Sequence, residues 1–148
     1  MRIALAADHA GYVLKDELAR WLSDQGHEIE DLGTNGPDSV DYPEFGSKLA
    51  QVVGSGGADR GVVVCGSGIG ISIAVNRDPR CRCARVDDPL SAALAREHND
   101  ANVLALGGRL VGPDMAKACV SAFLDTDFAG GRHQRRIDQL SSLLQESD

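Results

Sequence analysis

The chain has 148 residues, 43% hydrophobic and 25% charged, a composition typical of one soluble globular domain. Its formal charge of −7 argues against a protein that lives on nucleic acid or an anionic membrane surface. No apolar run approaches the roughly 18 residues of a membrane span, and the N-terminus turns charged at Asp8 without a signal-type apolar segment. A cytoplasmic protein is therefore expected.

Taken in chain order, Arg2–Ala7 reads as a short buried strand ending in Asp8-His9-Ala10-Gly11. From Tyr12 to about Asp24, Val13, Leu14, Leu18, Trp21 and Leu22 recur at helical spacing, and Gly26 follows as a stop. Glu28–Leu32 reads as a second strand, and residues 33–43 as a long loop rich in Gly, Pro, Asp and Asn. Phe45–Val53 is a helix with Phe45, Leu49, Val52 and Val53 inward. Gly61–Cys65 is a continuous β-branched run, as in a central parallel strand covered on both faces. Ile71–Asn76 reads as a short helix, Arg82–Val86 as a fourth strand, Pro89–Glu97 as a helix and Asn102–Leu106 as a fifth strand. Helices over Pro113–Leu124 and Arg132–Gln145 complete the series.

Five strands alternating with helices predict an α/β, three-layer α/β/α sandwich around a five-stranded parallel, Rossmann-like sheet. Ligands in such sheets bind beyond the carboxyl ends of the strands. Asp8-His9, Cys65-Gly66-Ser67 and Gly107-Gly108-Arg109 follow strands and are expected to converge.

Gly66-Ser67-Gly68-Ile69-Gly70 sets three glycines at alternate positions between a buried strand and a helix. Backbone N–H groups there are free to face an anion, although a tight strand–helix connection would look the same. The segment is neither a Walker loop nor a full dinucleotide fingerprint. Cys65 at its entrance is either a packed core thiol or, with its pKa lowered beside a helix N-terminus, a base or nucleophile. Asp8 is a candidate cap or site carboxylate; His9, after a strand, and His98, at a helix end, are expected to lie where the architecture points and are acid–base candidates near neutral pH. His27 reads as a surface residue. Arg132 and Arg136 share one face at the start of the last helix, where the macrodipole disfavours cations. A bound phosphate resolves that conflict; a solvated basic turn or an ion-paired subunit contact is the alternative. Cys81-Arg82-Cys83 alternates like a strand and gives two packed thiols or half a metal site; with Cys65 and Cys119 it forms no C-x₂-C pair, and disulfides are not expected.

Asp8-His9-Ala10-Gly11 with Leu14-Lys15, Asp41-Tyr42-Pro43, Cys65–Ser72, Glu97–Leu104 and Gly130–His133 together resemble the type B ribose-5-phosphate isomerase family, which also holds the subunits of galactose-6-phosphate isomerase. The resemblance runs from Ile3 to about Ile137 and implies one sugar-phosphate isomerase domain over residues 1–148, without metal or organic cofactor. It implies a homodimer, or a tetramer, acting on a small sugar phosphate, and no nucleic-acid or membrane partner. By matching positions, Cys65 would be the base moving a proton between C1 and C2; members that lack it carry Glu where this chain has Ile71. His98 would open the furanose ring, and Asp8 and Ser67 would serve the catalytic groups and the sugar hydroxyls. His9, Arg109, Arg132 and Arg136 would hold phosphate or ligand, Asn99 the sugar, and Tyr42 would line the site with Gly66, Gly68, Ile69 and Gly70. Cys65 and His98 of one site would come from different subunits. A six-carbon sugar-phosphate isomerase and a non-catalytic phosphate-binding module are the competing expectations.

Overall fold

The computed structural model describes residues 1–143. Its elements are β1 (Arg2–Ala7), α1 (Tyr12–Asp24), β2 (Glu28–Asp31), α2 (Tyr42–Gly54), β3 (Arg60–Cys65), α3 (Ile69–Asn76), β4 (Cys83–Arg85), α4 (Pro89–Asn99), β5 (Val103–Gly107), α5 (Pro113–Asp125) and α6 (Arg132–Ser142). The last two residues of the expected final helix, 144 and 145, lie outside the described residues. One parallel sheet with order β2-β1-β3-β5-β4 runs through the middle, so the α/β architecture expected from the sequence is the one adopted.

Strand side chains alternate between two cores. Ile3, Leu5, Ala7, Val62, Val64, Leu104 and Leu106 face α1, α4 and α5, whose Leu14, Leu18, Leu22, Ala92, Val120 and Phe123 are buried with them. Ala4, Ala6, Val63, Cys65, Val103 and Ala105 face α2 and α3, against Phe45, Leu49, Val53, Ile71 and Val75. Small strand residues on this second face let Phe45 and Leu49 lie close to the sheet. Truncating a fully buried Leu49 to Ala would cost about 2–5 kcal/mol.

Register fixes the site. Ala7 pairs with Val64 and Cys65 with Gly107, so the chain leaves β1, β3 and β5 at one rim. The chain turns from β1 to β2 on one side of the sheet and places β3 on the other, which makes the β1/β3 junction a switch point with a crevice above it. Only glycine fits at position 11, because a Cβ there would collide with the Val64 carbonyl.

Several boundaries moved for identifiable reasons. Helix α2 opens at Tyr42 rather than Phe45, because Pro43 occupies a first turn, where its missing N–H costs nothing. Helix α3 opens at Ile69 and takes Gly70 into its first turn. In α1 the inward stripe is Leu14, Leu18 and Leu22, while Val13, expected on it, is 65% exposed and Lys15 is fully buried. Among the described residues no helix is long and apolar enough to cross a membrane.

Candidate active site

The three strand-end clusters converge as the architecture requires. Asp8 N–H donates to the Val64 carbonyl at 3.3 Å, Gly108 N–H to the Cys65 carbonyl at 2.8 Å and Arg109 N–H to the Gly66 carbonyl at 3.0 Å. Cys65 is 4% exposed and Asp8 7%. Asp8 caps a turn, its Oδ1 accepting from Ala10 N–H at 3.0 Å, while Gly11 takes the N-cap position of α1. The Arg109 guanidinium lies over Gly66, and the Tyr42 ring packs on Gly70 so closely that a Cβ there would meet it at 2.7 Å. His9 Nδ1 is 3.1 Å from the Val40 N–H that donates to it, which ties the histidine to the loop before α2.

The glycine loop presents backbone donors. Gly68 sits at φ +77°, a conformation open to glycine, and its N–H donates to Cys65 Sγ at 3.2 Å. Ile69 N–H donates to Ser67 Oγ at 3.2 Å. The N–H groups of Gly70 and Ile71 open α3 and have no intrahelical acceptor, which leaves a donor-rich edge beside the sulfur.

His98 and Asn99 do not join this cluster, contrary to the expectation that His98 lies where the strands point. Helix α4 runs antiparallel to the strands, so its last turn returns to the amino rim, just before β5 begins at Val103. Four residue steps along β5 separate Val103 from Gly107, the partner of Cys65, or roughly 13 Å along the sheet. Arg132 and Arg136 go with His98. Its ring stacks on His133 with centroids 4.4 Å apart and planes 13° from parallel. Ala129 N–H donates to the Glu97 carbonyl at 3.0 Å.

The end of α4 is firmly held. Asp100 adopts φ +45°; its carboxylate takes Arg96 Nη1 at 2.7 Å and Arg82 Nη2 at 3.3 Å. Arg82 Nε also donates to the Asn99 carbonyl at 3.0 Å. This clamp, His133 and the buried Lys15 were not singled out as functional from sequence. Lys15 Nζ donates to both oxygens of Asp31 at 2.7 and 2.8 Å and to Asn35 Oδ1 at 2.8 Å, pinning the loop that carries Val40. For Lys15 the signals were its place beside an otherwise apolar helical stripe and in the Leu14-Lys15 pair of the resemblance.

Electrostatics separate the cysteines. Burial pushes the Cys81 and Cys119 thiols each up to about 11, and burial followed by the neighbouring Cys81 raises Cys83 as well. Cys81 donates to the Ala50 carbonyl at 3.4 Å, and Cys81 and Cys83 belong to the α2/α3 core. Their packing favours the apolar alternative, and all four cysteines are free. His133 is held below its ordinary value, first by desolvation and then by His98, Arg132 and Arg136. Among the described residues no group of three His, Cys, Asp or Glu side chains is arranged to hold a metal ion.

A family model described as Ribose/Galactose Isomerase matches residues 3–140. Ribose-5-phosphate isomerase B of Escherichia coli (strain K12) is 42% identical over 144 residues, covering 97% of each chain. The protein of that name from Mycobacterium tuberculosis is 43% identical over 143 residues, covering 95% of this chain and 88% of its own. Among solved structures, ribose-5-phosphate isomerase B of Clostridium thermocellum superposes with a TM-score of 0.98 at 47% identity and full coverage of both chains. The Mycoplasma genitalium enzyme with bound ribulose-5-phosphate gives 0.94 at 38% identity, covering 98% and 97%.

Proposed function

The chain belongs to the ribose/galactose isomerase family, and from that premise we propose that it interconverts ribose 5-phosphate and ribulose 5-phosphate through an enediolate, in a site completed by two copies of the chain. The observation that carries the two-copy reading is the split between rims. A base, an oxyanion cradle and a sugar-contacting carboxylate stand at the carboxyl rim, while the ring-opening histidine and the arginine pair stand at the amino rim. A symmetric dimer brings one chain's amino rim over its neighbour's glycine loop. Apolar side chains left in solvent beside both halves support such a contact: Ile69 and Ile73 on α3 are 52% and 51% exposed, and Leu140 on α6 is 53% exposed.

In this mechanism His98 assists opening of the furanose, and Cys65 takes the C2 proton of the open aldehyde and returns it at C1. Charge developing on the substrate oxygens meets the free N–H groups of the glycine loop, each worth about 2.7–4 kcal/mol when well placed. Asp8 and Ser67 serve the sugar hydroxyls. Arg132 and Arg136 hold the phosphate, which does not react, and so supply orientation. Arg109, His9, Asn99 and Tyr42 complete the walls.

Turnover is tested with a panel of five- and six-carbon aldose phosphates assayed side by side in EDTA. Ribose 5-phosphate is expected to give the highest kcat/KM. A six-carbon substrate ahead of it would move the assignment to a hexose phosphate, and no turnover of any would leave a binding module.

A further inference from the structure

Arg85 ends β4, a short edge strand two places from β3, and no role for it was apparent in the sequence. Its side chain is one-quarter exposed and runs along the rim to the glycine loop. Nε donates to the Ser67 carbonyl at 3.0 Å, and Nη1 pairs with Asp87, which fixes the far end of the guanidinium. The Ser67–Gly68 peptide is trans, so its carbonyl and its N–H point in opposite directions from one rigid plane. The carbonyl of that plane is taken by Arg85, and the N–H is the one that donates to Cys65 Sγ at 3.2 Å. Rotating the plane breaks both bonds at once. Nor can the plane shift as a whole, because Gly68 lies against the Leu106 carbonyl carbon and Gly107 against Ser67.

We propose that Arg85 is a positioning residue that holds a hydrogen-bond donor on the Cys65 sulfur through the single Ser67–Gly68 peptide. This rests on the isomerase reading only for its consequence in turnover; the effect on the sulfur itself stands apart from it. Two variants of matched length separate donation from charge. Arg85→Gln places an amide N–H as many bonds from the backbone as the arginine Nε and carries no charge. Arg85→Met has the same reach and donates nothing.

The experiment measures steady-state kinetics on ribose 5-phosphate and the rate at which iodoacetamide labels Cys65 at neutral pH, located by mass spectrometry. Arg85→Met is expected to lower kcat about three- to tenfold, the value of one hydrogen bond, with KM within about twofold and labelling slowed in parallel. Arg85→Gln is expected to restore both rates to within about twofold of the parent, since its donor is neutral. Asp87→Ala, an exposed change that leaves β4 intact, is expected to shift both rates the same way by about twofold and keeps the test open should Arg85→Met fold poorly. Equal impairment of the Gln and Met variants would assign the effect to charge and overturn the proposal. So would a raised KM with unchanged labelling, the mark of a direct anion contact, or no change in either rate. Should the parent turn over no sugar phosphate, the isomerase reading fails, and the labelling ratios alone still decide the role of Arg85.

Discussion

At the carboxyl rim the proposed functional groups ride on the ends of β1, β3 and β5, where ladder hydrogen bonds and two cores hold Cys65 and Asp8 almost out of water. At the amino rim they ride on the last turn of α4 and the first of α6. The His98 side chain is 41% exposed, and α6 buries only Ile137. The first half is suited to chemistry that needs fixed geometry: a base, a row of backbone donors and a carboxylate. The second, with long cationic side chains exposed at Arg132 and Arg136, is suited to capturing an anion from solvent. In the proposed site, rigidity and reach thus fall to different parts of one chain, and each half would be completed by a neighbouring copy.

The largest expected effect comes from the rigid half. Cys65→Ala is expected to lower kcat by about 10²–10⁴, the usual share of a positioned acid or base, while substrate affinity stays within a few-fold in a binding titration. Substantial residual turnover would remove Cys65 from the base role. Labelling supplies the companion check. Burial raises the Cys81, Cys83 and Cys119 thiols and slows their labelling; inactivation by iodoacetamide is expected to be blocked by substrate and to trace to Cys65 by mass spectrometry.

Lys15→Met tests how far that rigidity depends on one buried cation. It leaves Asp31 and Asp16 unpaired, yet each keeps about a third of its side chain in water. A loss of about 3 kcal/mol is expected, at the low end for a broken buried pair. Differential scanning calorimetry should show melting lowered by roughly 6–12 °C. An unchanged melting temperature would mean the loop before α2 is held by other contacts.

On the basic half, Arg132→Ala and Arg136→Ala are each expected to reduce kcat/KM about 10- to 100-fold, mainly through KM, as for a lost charge-assisted hydrogen bond. An untouched KM would make the pair structural. The smallest effect is spectroscopic. Because desolvation, His98 and the nearby arginines depress His133, its neutral form is favoured and its protonation is shifted to lower pH than for an ordinary histidine. Inorganic phosphate bound among the arginines offsets their repulsion, so the NMR titration midpoint of His133 should rise when phosphate is added. A midpoint indifferent to phosphate would place the anion elsewhere.

Much of this was legible in the sequence, and the part that was not has a physical reason. The continuous β-branched run of Gly61–Cys65 and the i, i+4 stripe of Leu14, Leu18 and Leu22 identified the sheet and its cover, because burial on both faces of a strand, or along one stripe of a helix, leaves its pattern in a single chain. The carboxyl-rim residues followed, since strand ends converge in any parallel sheet. His98 went to the wrong rim on that logic, because a strand-end rule says nothing about residues at helix ends, which return to the opposite edge. Lys15 and Arg85 drew no functional reading for another reason. Each acts through partners distant in sequence, Asp31 and Asn35 for one and the Ser67 carbonyl for the other, and no local pattern encodes such contacts.

The two-rim account is tested most directly by subunit complementation. Homodimers of Cys65→Ala and of His98→Asn each lose one group from every site and are expected to be nearly inactive. Unfolded together and refolded in equal amounts, about half of the dimers form as hybrids under random pairing. With Cys65 and His98 drawn from opposite chains, each hybrid holds one doubly damaged site and one intact site, so activity returns to about a quarter of the parent value. No recovery, with hybrids confirmed by mass spectrometry, would mean that both groups serve a site within one chain, and the account would be wrong.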